Sequence, residues 1–204
     1  MARVNDTNQA EPNYFSRIYK SNPPWDIGRP QKAFKRLSKE LKVNGRMLDV
    51  GCGTGENALM FAKLGFDIIG IDYVNYAINE AIDKAKKRGI NAKFYTMNAL
   101  ELTNFGQKFD IVIDSGLFHT FSNSERILFR TSLSNVLAVN GTYYILCFSN
   151  IEPPGFGPRR IHKEELYDTF KDNWNVISIK PEIFESTFGD AHAWFAKIQY
   201  LGKS

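Results

Sequence analysis

A short glycine-rich segment is the first feature of the sequence with the composition of a ligand-binding turn. It reads Asp49-Val50-Gly51-Cys52-Gly53-Thr54-Gly55, after a predicted strand and before a predicted helix. Glycines at such a turn allow a tight bend and let a ligand approach the backbone closely. The G-x-G-x-G spacing differs from the G-x-G-x-x-G of dinucleotide-binding proteins, and no G-K-[ST] ending marks a P-loop. The motif therefore predicts a nucleoside ligand that needs no phosphate cradle.

Two acidic residues accompany this turn. Asp72 ends the second predicted strand, where an acid can accept hydrogen bonds from both ribose hydroxyls. Because aspartate is also a good N-cap, Asp72 could instead begin the helix predicted at 74–87. Asp49 could hold an amino group of the ligand, directly or through water, and it could also stabilise the turn.

Three further polar residues, Asp114, Ser115 and His119, follow the fourth predicted strand. Ligands of open α/β sheets bind beyond the carboxyl ends of the strands, so these residues should lie near the reacting atoms. His119 has a suitable pKa for a general base toward a phenol, thiol or protonated amine, or it could serve only to orient its surroundings. Asp114 could contact substrate or cofactor, or it could be a hydrogen-bonded acid at a strand end.

Strand and helix patterns alternate from Arg46 onward. The predicted strands span 47–50, 66–71, 92–95, 109–113 and 142–148, with Asn140-Gly141 as the turn into the fifth. The predicted helices between them span 58–64, 74–87 and a stretch marked by Phe129, Leu133, Val136 and Leu137. This alternation implies right-handed crossovers and a doubly wound parallel sheet.

The C-terminal third departs from this pattern. A helix is predicted at 163–171, but the apolar runs 175–179 and 193–201 have no helix between them. Two such strands should be antiparallel neighbours. The predicted fold is therefore α/β: a Rossmann-like, doubly wound, seven-stranded sheet, mostly parallel, with an antiparallel C-terminal strand pair.

The region before the sheet has a different character. Residues 14–45 predict a helical cap around a proline-rich turn, and the polar residues 1–13 are expected to lack order. We therefore divide the 204 residues into an N-terminal cap or lid segment, 1–45, and a catalytic region, 46–204, within a single domain overall.

Composition argues against several functional classes. The net charge is only +4 and the lysines are spread along the chain, so no nucleic-acid partner is expected. The two cysteines, Cys52 and Cys147, suggest neither a disulfide framework nor a zinc site, and both are expected to be packed. The sequence shows no signal peptide and no stretch of membrane-spanning length, so we expect a cytoplasmic protein without a membrane partner.

Taken in order, the motifs resemble those of class I S-adenosylmethionine (SAM)-dependent methyltransferases. The resemblance rests on the glycine-rich turn, Asp72, Asn98-Ala99 and the segment 114–119, and it spans roughly residues 46–200. The upstream segment 23–31, Pro-Pro-Trp-Asp-Ile-Gly-Arg-Pro-Gln, is similar to the one preceding the core in thiopurine methyltransferase-like enzymes and in bacterial relatives that methylate small thiols or heterocycles. The resemblance implies SAM as cofactor, S-adenosylhomocysteine as product, and no metal.

The resemblance also implies a set of cofactor contacts. Trp25 would lie over the cofactor, unless it packs the cap against the core. Asn98 stands where the family usually has an acid that binds the adenine amine; its amide oxygen could accept the same hydrogen bond without charge, or Asn98 could be a turn residue. The full set is Trp25, Asp49, Gly51, Cys52, Gly53, Gly55, Asp72, Tyr73, Asn98, Ala99, Asp114 and Ser115.

Fewer residues are candidates for catalysis and acceptor binding. The catalytic candidates are His119 and Asp114, and the substrate-binding candidates are Tyr14, His119, Phe156 and Arg159. Arg159 could attract an acidic substituent, or it could form a solvated pair with Arg160. Aromatic and apolar residues dominate the segments around the expected site, which predicts an aromatic or sulfur-bearing acceptor.

The predicted reaction is transfer of the SAM methyl group to a sulfur, nitrogen or oxygen atom of a small molecule. The transfer is an in-line displacement, and alignment of the reactants is the main source of catalysis. Two alternatives stay open: an RNA or protein methyltransferase, which would favour an added recognition domain or a basic face, and a SAM-binding protein without catalysis. The sequence specifies neither the acceptor nor the oligomeric state.

Overall fold

The computed structural model describes residues 12–155 and 157–202, except the side chains of 12–14 and 104. The described strands are β1 (Arg46–Val50), β2 (Asp67–Asp72), β3 (Lys93–Thr96), β4 (Phe109–Ser115), β5 (Leu137–Phe148), β6 (Trp174–Phe184) and β7 (Ala191–Tyr200). They form one sheet in the order β3-β2-β1-β4-β5-β7-β6. Strands β1 to β5 pair in parallel, and β7 pairs antiparallel with both β5 and β6. The predicted sheet, with its antiparallel C-terminal pair, is confirmed.

Six α-helices surround the sheet in the described part of the chain. They are α1 (Pro12–Tyr19), α2 (Lys32–Glu40), α3 (Glu56–Lys63), α4 (Asn75–Arg88), α5 (Asn123–Val136) and α6 (Lys163–Thr169). Two short 3-10 helices span Ala99–Asn104 and Phe118–Thr120. No helix among the described residues combines the length and apolar character needed to cross a bilayer.

The sheet lies between two hydrophobic clusters. Alternate residues of each central strand face opposite layers: Leu48 packs with Phe129 of α5, whereas Met47 packs with Phe34 of α2 on the other face. Because both faces are covered, the central strands are continuous apolar runs, as parallel strands usually are. The carboxyl ends of β1, β2 and β4 therefore form the edge at which polar groups can meet a ligand.

Helix α5 begins earlier than its apolar spacing predicts. The prediction was drawn from Phe129 onward, whereas the helix begins at Asn123. Its first turn is polar and is held by a capping box, in which Ser122 Oγ accepts from the amide of Glu125 at 3.3 Å and Glu125 Oε2 accepts from the amide of Ser122 at 2.8 Å. Hydrophobic periodicity cannot detect a turn of this kind.

The predicted turn into the fifth strand is also wrong in detail. Strand β5 begins at Leu137 and continues through Asn140-Gly141, where Asn140 has φ 65°. The pairing with β4 shifts register between Phe109 and Ile111 at this point, so the Asn-Gly pair marks an irregularity within the strand. Strand β6 is longer than predicted as well and contains Pro181, which an edge strand tolerates.

Gly70 in β2 creates the space beneath the glycine-rich turn. A Cβ atom at this position would lie 2.6 Å from Cδ1 of Phe94 and 3.0 Å from Sγ of Cys52. Phe94 is buried and Cys52 belongs to the turn, so the absence of a side chain at Gly70 lets both pack against β2. The lack of a side chain at Gly70 therefore allows the glycine-rich turn to pack closely against β2.

Substitution of Gly70 by alanine should therefore destabilise the protein. We expect Gly70→Ala to lower the free energy of unfolding by about 1–3 kcal/mol, because the new methyl group overpacks a buried site. Urea unfolding followed by circular dichroism measures the change. The double variant Gly70→Ala/Phe94→Leu should recover part of the loss, and an alanine variant as stable as the parent would contradict this account of the packing.

Candidate active site

The glycine-rich turn between β1 and α3 adopts a backbone that only glycine accommodates readily. Gly51, Gly53 and Gly55 have φ of 65°, 55° and 86°. A Cβ atom at Gly53 would lie 2.9 Å from the hydroxyl of Tyr19 in α1. The turn thus presents bare backbone toward the N-terminal helix, as the sequence predicts for a close ligand approach.

Asp72 links the end of β2 to this turn. Its Oδ2 accepts a hydrogen bond from the amide of Gly53 at 3.0 Å, and its Oδ1 accepts from the amide of Val74 at 2.9 Å. Burial raises the pKa of the Asp72 carboxyl to about 6, although the amide hydrogen bonds act to lower it. The N-cap position of α4 is Val74, so Asp72 supports the entry to that helix from two residues before the N-cap. Each oxygen retains a lone pair that a ribose hydroxyl could use.

Asp49, at the end of β1, is buried without a cationic partner. Its Oδ2 atom has no hydrogen-bond partner within the described residues. Burial raises the pKa of the Asp49 carboxyl well above its ordinary value, the neighbouring Asp114 and Asp72 raise it further, and a hydrogen bond from the amide of Ala58 opposes them. An acid in this environment would be stabilised by a positive group of a ligand.

The N-terminal segment covers the glycine-rich turn with aromatic rings. Trp25 Nε1 donates to the hydroxyl of Tyr19 at 3.3 Å, and Phe15 makes edge contacts with both Trp25 and Tyr73 at centroid distances of 5.9 Å. A cavity lies beneath these rings. It is lined by Tyr19, Trp25, Asp26, Ile27, Arg29, Gln31, Gly51, Cys52, Gly53, Thr54, Glu56, Asn57 and Ser115. Five residues of the predicted cofactor set (Trp25, Gly51, Cys52, Gly53 and Ser115) therefore meet around one cavity.

A polar network joins the N-terminal segment to the turn and to α4. Thr54 Oγ1 donates to Oδ2 of Asp26 at 2.8 Å and accepts from Nζ of Lys84 at 2.6 Å. Lys84 also pairs with Glu56 at 3.0 Å, and Arg88 makes a two-pronged contact with the same carboxylate. Burial would raise the pKa of Glu56, but Arg88 and Lys84 outweigh it and lower the value.

A second connection, here called the Gln31–Glu185 clasp, comprises Arg29, Gln31, Lys32 and Glu185. Gln31 Nε2 donates to the carbonyl of Glu185 at 2.8 Å, and the amide of Glu185 donates to Gln31 Oε1 at 2.9 Å. The Glu185 carboxylate is only 2% exposed and pairs with Arg29 at 2.9 Å and Lys32 at 3.0 Å. Burial would raise the pKa of Glu185, but these cations outweigh it and bring the value to about 2. The clasp holds the N-terminal segment against the turn between β6 and β7.

Asp114, at the end of β4, shapes the loop that follows it. Its Oδ1 accepts from the amide of Leu117 at 2.8 Å, and its Oδ2 accepts from the amide of Phe118 at 3.1 Å and the hydroxyl of Tyr143 at 2.7 Å. Burial raises the pKa of Asp114 to about 7, although these hydrogen bonds act to lower it. These are the contacts expected of a hydrogen-bonded strand-end acid, and its predicted contact with cofactor or substrate stays a prediction.

His119 lies at the same edge of the sheet, in the 3-10 helix after β4. Its Nδ1 accepts a hydrogen bond from the amide of Phe148 at 3.0 Å. The ring contacts Phe148 and Phe184 at centroid distances of 4.9 and 5.9 Å. Burial lowers the pKa of His119 to about 3, with smaller contributions from Arg126 and Arg160.

The predicted adenine-binding residues lie at the end of β3. Asn98 caps the following 3-10 helix: its Oδ1 accepts from the amide of Leu100 at 3.0 Å and its Nδ2 donates to Glu101 at 3.2 Å. Ala99 is buried, and Tyr73 is partly exposed beneath Phe15. Asn98 thus has the contacts of a turn residue, and its role toward adenine stays a prediction.

Of the predicted acceptor-binding residues, the structure describes the side chains of His119 and Arg159. Arg159 pairs with Glu165 and donates to Asn123 Oδ1 at 2.6 Å, which ties it to α5 and α6. The backbone of Tyr14 belongs to α1, but its side chain lies outside the described residues, as does Phe156. The predicted disorder at 1–13 likewise falls almost entirely outside them.

Several residues around the cavity were missed by reasoning from the sequence. Tyr19, Asp26 and Thr54 have no distinctive spacing, although Asp26 and Gln31 belong to the segment that carries the N-terminal resemblance. Glu185 had no signal at all, because its partners lie near the other end of the chain. Of the cysteines, Cys147 is buried in the core as predicted.

Comparison with known proteins identifies the family of this chain. The sequence profile of the family described as "Methyltransferase domain" matches residues 41–192. The chain belongs to this methyltransferase family. This assignment and the comparisons below make it an S-adenosylmethionine-dependent methyltransferase.

The relatives of this methyltransferase are named for different substrates. The 2-heptyl-1-hydroxyquinolin-4(1H)-one methyltransferase of Mycobacteroides abscessus is 33% identical over 164 residues, which cover 79% of this chain and 72% of that protein. The probable thiol methyltransferase 2 of Arabidopsis thaliana is 27% identical over 145 residues, which cover 70% and 64%. A solved structure described as "Conversion of a Disulfide Bond into a Thioacetal Group during Echinomycin Biosynthesis" is 32% identical, with a TM-score of 0.84 and 93% of both chains covered.

The clasp yields a direct prediction for this methyltransferase. Glu185→Gln should lower the free energy of unfolding by about 1–3 kcal/mol. Arg29 and Lys32 lose a buried anionic partner, but the effect is limited because their charged groups remain partly exposed to water. Limited proteolysis should show faster cleavage within residues 20–32 than elsewhere in the chain.

Glu182→Gln is the matched control for the clasp. Glu182 lies in β6, three residues before Glu185, and pairs with Arg36 at a more exposed site, so its loss should cost less than about 1 kcal/mol. Equal effects of the two substitutions, or unchanged cleavage of the N-terminal segment in Glu185→Gln, would contradict the role assigned to the clasp.

Proposed function

We propose that this methyltransferase transfers the methyl group of SAM to a sulfur, nitrogen or oxygen atom of a small molecule. The observation that carries the proposal is the enclosure of the glycine-rich turn by α1 and Trp25, which the Gln31–Glu185 clasp holds in place. A partly covered cavity, with the rings of Tyr19 and Trp25 beside polar residues, suits small ligands. The 33% identical relative is named for a hydroxyquinolone acceptor and the plant relative for thiols, which is the same range of chemistry.

The residues present fit SAM. Asp49 has the unpartnered oxygen that an ammonium group would satisfy, and the bare backbone at Gly51 and Gly53 gives close access. Asp72 would accept from the ribose hydroxyls, and Tyr73 with Asn98 would flank the adenine. The remaining assigned contacts are Trp25, Cys52, Gly55, Ala99, Asp114 and Ser115. SAM supplies a methyl group already activated on a sulfonium, with a neutral thioether as leaving group.

The protein's own contribution is alignment and exclusion of water. The aromatic rings of the N-terminal segment cover the cavity, and two independent connections, the Lys84 network and the clasp, hold that cover to the core. Holding reactants in line can supply about 7–11 kcal/mol in well-oriented cases. A dedicated acid or base is therefore not required for a thiolate acceptor. S-adenosylhomocysteine is the expected product, and no metal is required.

The alternatives have less support. Within the described residues the arginines and lysines nearest the cavity are engaged: Arg29 and Lys32 bind Glu185, and Lys84 binds Glu56. They do not form the phosphate-tracking surface that an RNA substrate would need. A SAM-binding protein without catalysis would have the same cofactor contacts, and only turnover distinguishes it.

The assignment of Asp49 predicts opposite effects on stability and on cofactor affinity. Asparagine can keep the hydrogen bond from Ala58 while replacing the unpartnered oxygen, so Asp49→Asn should not lower the free energy of unfolding. The dissociation constant for SAM should rise about 10- to 100-fold, because a charged hydrogen bond is lost. Calorimetry with SAM and urea unfolding measure the two quantities.

A ligand without the amino acid moiety is the control for Asp49. 5′-Methylthioadenosine has the nucleoside part of SAM but no ammonium group, so its affinity should be the same for Asp49→Asn and the parent. Equal weakening of both ligands would place the ammonium group elsewhere, and unchanged SAM affinity would remove Asp49 from the site.

The nature of the acceptor is tested by turnover. With labelled SAM, we expect methylation of members of a panel of thiols, phenols and N-heterocycles, and none of bulk RNA or protein, at two salt concentrations. A macromolecular polyanion would show strong salt dependence. Salt-sensitive methylation of RNA, with every small acceptor inert, would overturn the proposed function.

A further inference from the structure

We propose that His119 donates a hydrogen bond from Nε2 to the methyl acceptor, and that the acceptor it selects is an aromatic molecule with an ionisable hydroxyl group. The inference rests on the proposed function, because it concerns the same site. It assigns His119 a role different from the general base that its residue type suggests.

The backbone determines which nitrogen of His119 carries the proton. The amide of Phe148 donates to Nδ1 at 3.0 Å, so the lone pair of Nδ1 is already used. A neutral imidazole has one donor and one acceptor nitrogen, and Nε2 is therefore the donor. A ring held in this way offers no free lone pair with which to remove a proton.

The surroundings also oppose a charged ring. His119 is buried against Phe148 and Phe184, and two guanidinium groups approach from different elements: Arg126 from α5 and Arg160 from the loop after β5. No carboxylate of the described residues accepts a hydrogen bond from the ring. A second positive charge would be unfavourable here, so the ring stays neutral while a substrate reacts.

The donor atom points to the reacting edge of the sheet. Nε2 lies 3.4 Å from the position that a Cβ atom on Gly116 would occupy, and Gly116 has φ 85° at the end of β4. The preceding residue, Ser115, lines the cavity. His119 as a whole residue is 5% exposed. An N–H donor at this place, next to a residue that lines the cavity, can donate to an acceptor atom bound there.

The chemistry of this donor favours oxygen. Phe148 and Phe184 provide flat apolar walls, and one N–H between them would bind a phenolate-type oxygen more strongly than a thiolate sulfur, which is a weak acceptor. The acceptor's hydroxyl group loses its proton to water before methyl transfer. The hydrogen bond from Nε2 promotes this ionisation because it stabilises the phenolate-type anion. An oxygen lone pair then forms the bond to the methyl carbon, and the carbon–sulfur bond breaks with its electron pair remaining on sulfur.

The first experiment reads the tautomer and needs no acceptor. In 15N-labelled protein, two-bond 1H–15N spectra distinguish a protonated from an unprotonated ring nitrogen, and His162→Gln and His192→Gln variants assign the other two histidines. We expect His119 to be protonated at Nε2 only, with no titration between pH 5 and pH 8. A proton on Nδ1, or a titration midpoint near the ordinary histidine value, would overturn the proposal.

The second experiment measures the role of the donor with the acceptors found active in the panel. His119→Phe should reduce kcat/KM for phenols and N-hydroxy heterocycles about 10- to 100-fold, the scale of a hydrogen bond to a charged group. The loss of kcat/KM for thiols should be clearly smaller, because only the oxygen acceptors lose a strong hydrogen bond to the reacting atom. His119→Gln retains an N–H donor and should restore part of the loss. The parent's pH profile for an oxygen acceptor should follow the ionisation of that acceptor and change when the acceptor's pKa changes.

The outcomes separate this inference from the proposed function. Turnover of thiols alone, or equal losses for thiols and phenols in His119→Phe, would refute the inference and leave the methyltransferase function intact. If every small acceptor is inert, the proposed function fails, while the tautomer of His119 is still read from the spectra.

Discussion

Three carboxylates buried at the carboxyl ends of neighbouring strands are the constraint on which the site depends. Asp49, Asp72 and Asp114 end β1, β2 and β4 and lie close enough for Asp49 to experience the other two. Backbone amides of the following turns hold Asp72 and Asp114, and this requirement determines how the glycine-rich turn and the loop after β4 fold back over the sheet. One oxygen, on Asp49, is left without a partner in the described residues, and it is the one that a cationic ligand would complete.

Much of the fold could be predicted because its signals are local. Apolar runs covered on both faces identified the strands, the missing helix between the last two runs identified the antiparallel pair, and glycine spacing identified the turn. The errors have local causes too: the polar first turn of α5 is held by Ser122 and Glu125, and the Asn140-Gly141 pair accommodates a register shift instead of ending a strand. Periodicity carries no information about either.

Only those candidate site residues that lie at the ends of strands could be predicted from the strand pattern. Asp49, Asp72 and the glycines are placed by the sheet itself, and Trp25 by the resemblance. Glu185 and Lys84 could not be found, because their importance comes from contacts with residues distant in the sequence. The sequence indicated that His119 belongs to the site, but it could not indicate which ring nitrogen is protonated. That inference depends on the amide of Phe148, which belongs to β5.

The clasp also has a consequence for how the protein is made. The segment around Gln31 leaves the ribosome 154 residues before Glu185 does. Closing so long a loop is slow relative to forming local contacts, and domains generally begin to fold during synthesis from the N-terminal side. The parallel strands β1 to β4 can therefore assemble while the chain is still tethered, but the clasp closes only after Glu185 has emerged. Until then the Lys84 network alone ties the N-terminal segment to the turn, so the cofactor edge is less firmly covered in a nascent chain than in the finished protein.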